Sequence, residues 1–271
     1  MSTEETVTNK TDLVLEEKRE PTLLEDFNPK RRELAESYKH QTKKIGRILG
    51  VTSLIVTFLI IISQITVFLK LQLQLIFMDE ILVIGAFFTV IFTVIGFIEL
   101  PISYWVGLRI DRKYNLVKLT NKAWLWRYFK AEAISFVLGL IFIEIFYFVL
   151  RTFPTTWWII ATIVVIFVSV ILSNLAPILV LPLFYKFEPL KNNYPQLTAE
   201  LTTMMEEERV KITNSFVWKL GEVATTGNAA ILGMGKARRI IIADTILEQY
   251  TPAEIKLTLA HELGHLKHHD L

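Results

Sequence analysis

Apolar residues in the first two-thirds of the chain come in long runs, and in the last third at the spacing of short helices and strands. Four of the runs are long enough to cross a hydrocarbon core of ~30 Å, which takes about 20 mostly apolar residues of helix. They cover about Ile45–Leu69, Ile81 to at least Ile98, Ala133–Leu150 and Trp157–Leu181. Pro101, Tyr104 and Trp105 blur the end of the second run, and Trp157 and Trp158 open the fourth; aromatic residues favour the membrane–water boundary. The predicted layout is a polar, basic tail over 1–44, four transmembrane helices over 45–181 and a soluble domain over 182–271. Met1 to about Asn28 is too polar to bury a core and reads as disordered, with none of the features of a secretory leader.

Charge between the runs orients them. Lys30, Arg31, Arg32, Lys39, Lys43, Lys44 and Arg47 precede the first run, and Arg109, Arg112, Lys113, Lys118, Lys122, Arg127 and Lys130 separate the second from the third. The other two connections carry only Lys70 with Asp79 and Glu80, and Arg151. Basic residues stay on the cytoplasmic side, so the N-terminus, the basic connection and everything after Leu181 are expected to face the cytoplasm.

Past Pro182 the periodicity is that of an α+β domain. Pro195 to about Arg209 has Leu197, Leu201, Met204 and Met205 at helical spacing. Ser215–Leu220 alternates as a strand, and Asn228–Leu232 with Arg239–Ala243 flank Gly233–Ala237 as a hairpin. Thr245 with Glu248 predicts a capping box on a short helix. Thr251, Pro252 and Glu254 predict another, as N-cap, first residue and reciprocal N3 partner of a helix reaching His268. Gly264 interrupts that helix, and a mid-helix glycine costs ~1 kcal/mol relative to alanine, so a close neighbour is expected there.

That last helix carries His261-Glu262-Leu263-Gly264-His265, an H-E-x-x-H string. On a helix, positions i and i+4 share a face, so both imidazoles can reach one metal ion. Zinc lowers the pKa of water toward ~7, and Glu262 sits where it can take the proton as hydroxide attacks a carbonyl. Ala260, Leu263, Gly264 and Leu266 are uncharged, as expected of a buried metal helix. Composition sharpens this reading. The chain is 52% hydrophobic and has no cysteine, so thiolate sites and disulfides are excluded and any metal is held by histidine and carboxylate. A mean hydropathy of +0.42 is that of a membrane protein, and a net charge of +2 with no basic tract in the last third gives no nucleic-acid partner.

The remaining polar candidates read as structural. His268 lies on the face of His265, but a third ligand normally comes from a separate element; His269, Asp270 and His40 read as surface. Glu99 and Glu144 lie in or beside apolar runs, where a charge costs ~3 kcal/mol near the bilayer centre. Glu99 is read as a snorkelling boundary residue and Glu144 as a helix–helix hydrogen bond. A transporter built on them lacks the expected inverted repeat. Arg238 and Arg239 read as a solvated hairpin flank.

Beyond the zinc helix, three segments carry a family resemblance. They are Gly227-Asn228-Ala229 with Arg239–Thr245, Leu100–Tyr104 leading into Asp111–Leu116, and Leu181–Leu190. From about the first run to its C-terminus the chain resembles the integral-membrane zinc metalloendopeptidases that include the type 1 CAAX prenyl proteases. The resemblance implies a multi-spanning α-helical membrane protein with a cytoplasmic α+β zincin-like catalytic domain. It implies one Zn2+ on His261 and His265, Glu262 as base, and Asn228 and Ala229 on a strand that pairs with substrate. The family's third ligand is a glutamate from a later helix, so it is expected beyond residue 271; the chain as it stands is expected to bind zinc weakly and to cleave little or nothing. The expected partners are the bilayer of the cell membrane and a membrane-associated peptide or protein substrate, with or without a prenyl group. The alternatives are a quality-control protease of the same family and a non-catalytic zinc-binding membrane scaffold.

Overall fold

The computed structural model of the protein describes residues 29–212, 214–233 and 238–268. It divides into two units, one holding the described residues up to Asn115 together with Thr120–Val165, the other Leu116–Leu119 and the chain from Ile166 onward.

The first unit is helical. Helix α1 (Pro29–Ser63) is followed by α2 (Ile65–Ile76), α3 (Glu80–Tyr104) and α4 (Asn121–Thr152), and α5 (Trp157–Leu175) begins in the same unit. Among the described residues three helices are long and apolar enough to cross a membrane, and a fourth span is available if the broken stretch from Trp157 to Phe184 counts as one. The first predicted run departs from expectation, because it is not a single helix. Gln64 sits in the left-handed region (φ 54°), and the Ser63 hydroxyl donates to the Ile60 carbonyl at 3.0 Å, satisfying a carbonyl that the helix would otherwise use. The basic segment before it, from Pro29, is already helical.

Helix α3 runs through Pro101, which lacks the N–H of a regular turn, and continues as a π-helical turn over Trp105–Ile110. Its other end is capped by Asp79, whose carboxylate accepts from Ile81 N–H at 2.8 Å. Glu80 there forms an ion pair with Arg151 in the last turn of α4, so α3 and α4 are antiparallel. Both charges also suit the helix ends that carry them. Between the two helices the rings of Phe88, Phe92 and Phe136 pack in tilted and edge-on pairs, with centroids 5.3–5.7 Å apart. Gly139 admits the Phe88 ring, which would come within 2.7 Å of a Cβ placed there. The Glu144 carboxylate lies against α3 at Gly85. Glu99 is exposed.

The second unit is built on a four-stranded sheet in the order β1-β2-β4-β3. After α5, the chain passes through a π-helical turn and α6 (Leu181–Phe184) into β1 (Phe187–Pro189), α7 (Leu190–Asn193) and α8 (Pro195–Glu207). Strand β2 (Asn214–Trp218) pairs antiparallel with β1 and parallel with β4 (Arg239–Ala243), and β3 (Ala229–Leu232) pairs antiparallel with β4. The predicted hairpin is therefore present, with Ala229 opposite Ile242 and Leu232 opposite Arg239. Gly233 follows β3 at φ 86°, a conformation that needs glycine; residues 234–237 of the predicted turn lie outside the described residues. Strand β2 stops at Trp218 instead of Leu220, since Leu220 opens a 3-10 turn.

Helices α9 (Asp244–Gln249) and α10 (Pro252–His268) follow β4. The core gathers Leu197, Leu201 and Met205 of α8, Val217, Ala229, Ile231, Ile240 and Ile242 of the sheet, and Ile255, Leu259 and Leu263 of α10. Ion pairs Lys256–Glu200, at 2.6 Å, and Lys267–Glu208 tie α10 to α8 and the turn after it. The predicted capping box at Thr245 is not formed. Asp244 already opens the helix, and the Thr245 hydroxyl is turned inward onto the Thr226 carbonyl at 2.9 Å.

Candidate active site on helix α10

Helix α10 starts as its sequence dictates. Thr251 N–H and Oγ1 both donate to the Glu254 carboxylate, at 2.8 and 2.9 Å, and Glu254 N–H donates back to Thr251 Oγ1 at 3.4 Å. Pro252 takes the first position, where no N–H is required. Thr251→Ala is expected to cost about 1 kcal/mol at this end. The measurement is amide exchange at Glu254, expected to speed up ~5-fold.

Ile255, Leu259 and Leu263, at 0%, 0% and 4% exposure, form one stripe down α10 and hold it on the sheet. Burying each is worth about 1.5–3 kcal/mol. At ~100° per residue, His261 lies about half a turn round from Leu259 and from Leu263, so the stripe that buries one face turns the histidine face outward. His261 is exposed and Glu262 and His265 are half-buried. This corrects the expectation of a buried metal helix: Leu263 is buried, but Ala260 is exposed and Leu266 half-buried. The close neighbour expected at Gly264 is also missing among the described residues, since a Cβ there would meet nothing within 4 Å.

The two imidazoles converge. His261 Nε2 and His265 Nε2 are 3.1 Å apart, with ring centroids separated by 4.6 Å and planes inclined at 83°. Two nitrogens bound tetrahedrally to one zinc at ~2.0–2.1 Å lie about 3.3–3.4 Å from each other, so the pair fits a shared ion with only a slight spreading of the rings. Among the described residues no third His, Cys, Asp or Glu joins them in a group that could hold a metal. His268 ends α10, while His269 and Asp270 lie outside the described residues.

Helix α10 packs on β3, the edge strand of the sheet. Asn228 is exposed just ahead of that edge, and its carbonyl accepts from Ala243 N–H at 2.8 Å, which extends the β3–β4 pairing by one residue. Ala229, at 8% exposure, and Ile231 point into the core. Asn228, Ala229 and the histidine helix thus belong to one edge of the second unit. Sequence reading missed Asp244, whose Oδ1 accepts from Gly221 N–H at 2.7 Å and Thr245 N–H at 2.9 Å. An aspartate at a strand-to-helix junction is the signal that could have found it.

Comparison with known proteins agrees with this architecture. Residues 12–186 match the family described as CAAX prenyl protease N-terminal, five membrane helices, and residues 191–271 match peptidase family M48. The chain belongs to the M48 metallopeptidases. Among M48-like relatives, an uncharacterized metalloprotease of Bacillus subtilis, YhfN, is 27% identical over 173 residues, covering 63% of this chain and 40% of the relative. CAAX prenyl protease 1 of Saccharomyces cerevisiae is 26% identical over 171 residues, covering 62% of this chain and 37% of the relative. The chain thus spans about two-fifths of the length of these curated relatives. The crystal structure of Ste24p from S. mikatae superposes with a TM-score of 0.78 at 20% identity, covering 96% of this chain and 62% of that one, and shows the same fold. The protein is accordingly a multi-spanning membrane protein of the M48 fold, and the family implies a metal cofactor.

Proposed function

We propose that this M48 protein is a zinc-dependent endopeptidase of the cell membrane that cleaves membrane-associated, prenylated proteins, with its hydrolytic unit on the cytoplasmic side. The observation that supports it most is the convergence of His261 and His265 Nε2 to 3.1 Å on a capped helix. In this reading the two histidines hold zinc, and a glutamate supplied from beyond residue 271 is the third ligand. When bound, zinc supplies a Lewis acid that acidifies water and polarises the scissile carbonyl.

The chain's own residues do the rest. Glu262, next to His261 at the border of the histidine face of α10, takes the proton of the attacking water and later hands it to the leaving amine. Asn228 and Ala229 lead into the β3 edge, where an extended peptide adds as a further strand beside α10. Strand addition reads main-chain groups, so it accepts many sequences. Selection then falls to the membrane: a lipid-anchored substrate arrives already confined to the surface from which the protein extends. The basic residues in the first half of α1 and those from Arg109 to Lys130, in the α3–α4 connection and the start of α4, support the cytoplasmic placement.

The test is cleavage of a farnesylated C-terminal peptide by the zinc-loaded protein carrying the downstream glutamate, set against its unfarnesylated twin and a misfolded membrane protein. The farnesylated peptide is expected to be cut at least tenfold faster than its twin. Preference for the misfolded protein would establish the quality-control reading instead. Cleavage of none of the three, with zinc bound, would leave a scaffold.

A further inference from the structure

Among the described residues Thr245 is the polar side chain that is buried, at 3% exposure, and the histidine helix does not use it. Its hydroxyl donates to the Thr226 carbonyl at 2.9 Å, two residues ahead of Asn228. Neighbouring contacts hold the same segment. Asp244 accepts from Gly221 N–H at 2.7 Å, and Gly227 lies so close to α9 that a Cβ would come within 2.8 Å of Ile246 Cγ1. Ala243 N–H holds the Asn228 carbonyl at 2.8 Å. On another side, Lys118 N–H donates to the Val223 carbonyl at 2.9 Å and Thr225 N–H to the Leu116 carbonyl at 3.1 Å, with Val117 and Ala224 opposed in an antiparallel bridge. Residues 221–228, which form no strand of their own, are therefore fixed at Gly221, Val223, Thr225, Thr226, Gly227 and Asn228.

A connecting segment with no regular structure is normally mobile. Adding a strand to a sheet edge requires the edge groups to stand in a fixed, extended register before the partner arrives, since ordering them on binding subtracts from affinity. We propose that Thr245 is a positioning residue for peptide substrate: its hydroxyl, together with the Leu116–Lys118 bridge, sets the segment that delivers Asn228 and the start of β3. The proposal rests on the reading of β3 as the substrate-accepting edge. Thr245 touches neither substrate nor the reacting atoms. It acts through the Thr226 carbonyl.

Thr245→Val keeps the shape and removes the donor, while Thr245→Ser restores it. In the full chain, Thr245→Val is expected to speed amide exchange at Thr225, Lys118 and Ala243 at least tenfold, with α8 unchanged and Thr245→Ser within twofold of the parent. With the zinc-loaded protein carrying the downstream glutamate, Thr245→Val is expected to raise KM for an extended peptide about tenfold at little cost in kcat, and Thr245→Ser to rescue it. Unchanged exchange in Thr245→Val would overturn the clamp itself. Faster exchange with an unchanged KM, or with kcat lost alone, would overturn its link to substrate. If the parent cleaves no peptide while the exchange effect holds, the endopeptidase reading has failed and the clamp is structural only.

Discussion

Glu262→Gln is expected to lower peptide hydrolysis by about 10²–10⁴-fold, the range that a positioned acid–base group contributes, while leaving the bound zinc in place. The amide has the size of the carboxylate and cannot accept the proton. Glu262 is half-buried and occupies the position between the histidine face and the Leu259–Leu263 stripe, so the substitution disturbs neither. Hydrolysis of a fluorogenic peptide and metal content per chain are the two measurements, made on protein that includes the third ligand proposed above. Activity within threefold of the parent, at equal zinc content, would remove Glu262 from the chemistry and with it the assignment of α10 as the hydrolytic helix.

His261→Ala is expected to weaken zinc binding by more than ~100-fold, and His265→Ala to match it. Loss of an outer partner of a metal ligand already costs 10–100-fold, so loss of a ligand should cost more. The two effects should be equal because the nitrogens, 3.1 Å apart, fit a single ion. His261 is exposed, so its removal opens no cavity and the helix is expected to survive, as circular dichroism would show. Competition titration against a chelator gives the affinity. A parent-like affinity in either variant would mean that the metal, if held, is held elsewhere.

Two of the chain's T-x-x-E patterns, Thr245–Glu248 and Thr251–Glu254, show how far sequence reading reaches. Thr251 and Glu254 close a capping box as predicted, and among the described residues their side chains bond each other across that boundary. Thr245 and Glu248 fit the same pattern and do not, because β4 ends at Ala243, helix α9 has begun by Asp244, and the Thr226 carbonyl takes the hydroxyl. The local signal is the same; a long-range contact decides between them. The β3–β4 hairpin was legible for the same reason that the first box was, its partners being near in sequence. Strand β1, the parallel pairing of β2 with β4 and the bridge of Val117 to Ala224 were not legible, since each depends on segments that sequence distance separates. In the membrane part the apolar runs marked where long helices lie, but neither the left-handed residue at Gln64 nor the continuation of α3 past Pro101 has a hydropathy signature. The orientation of α10 could have been read more closely. The Ile255–Leu259–Leu263 stripe already sends His261 to the opposite side, and attention to uncharged neighbours alone concealed it.

The bridge between Val117 and Ala224 has a kinetic side. It joins stretches of backbone separated by α4, α5, β1 and β2, so its formation closes a wide loop and must await those pieces. Loop closure of this kind is entropically costly until neighbouring contacts make it worthwhile, which places it late in folding. Until then the edge ahead of β3 lacks its fixed register. The edge proposed above to accept peptide is thereby completed only when the chain's own assembly is nearly finished.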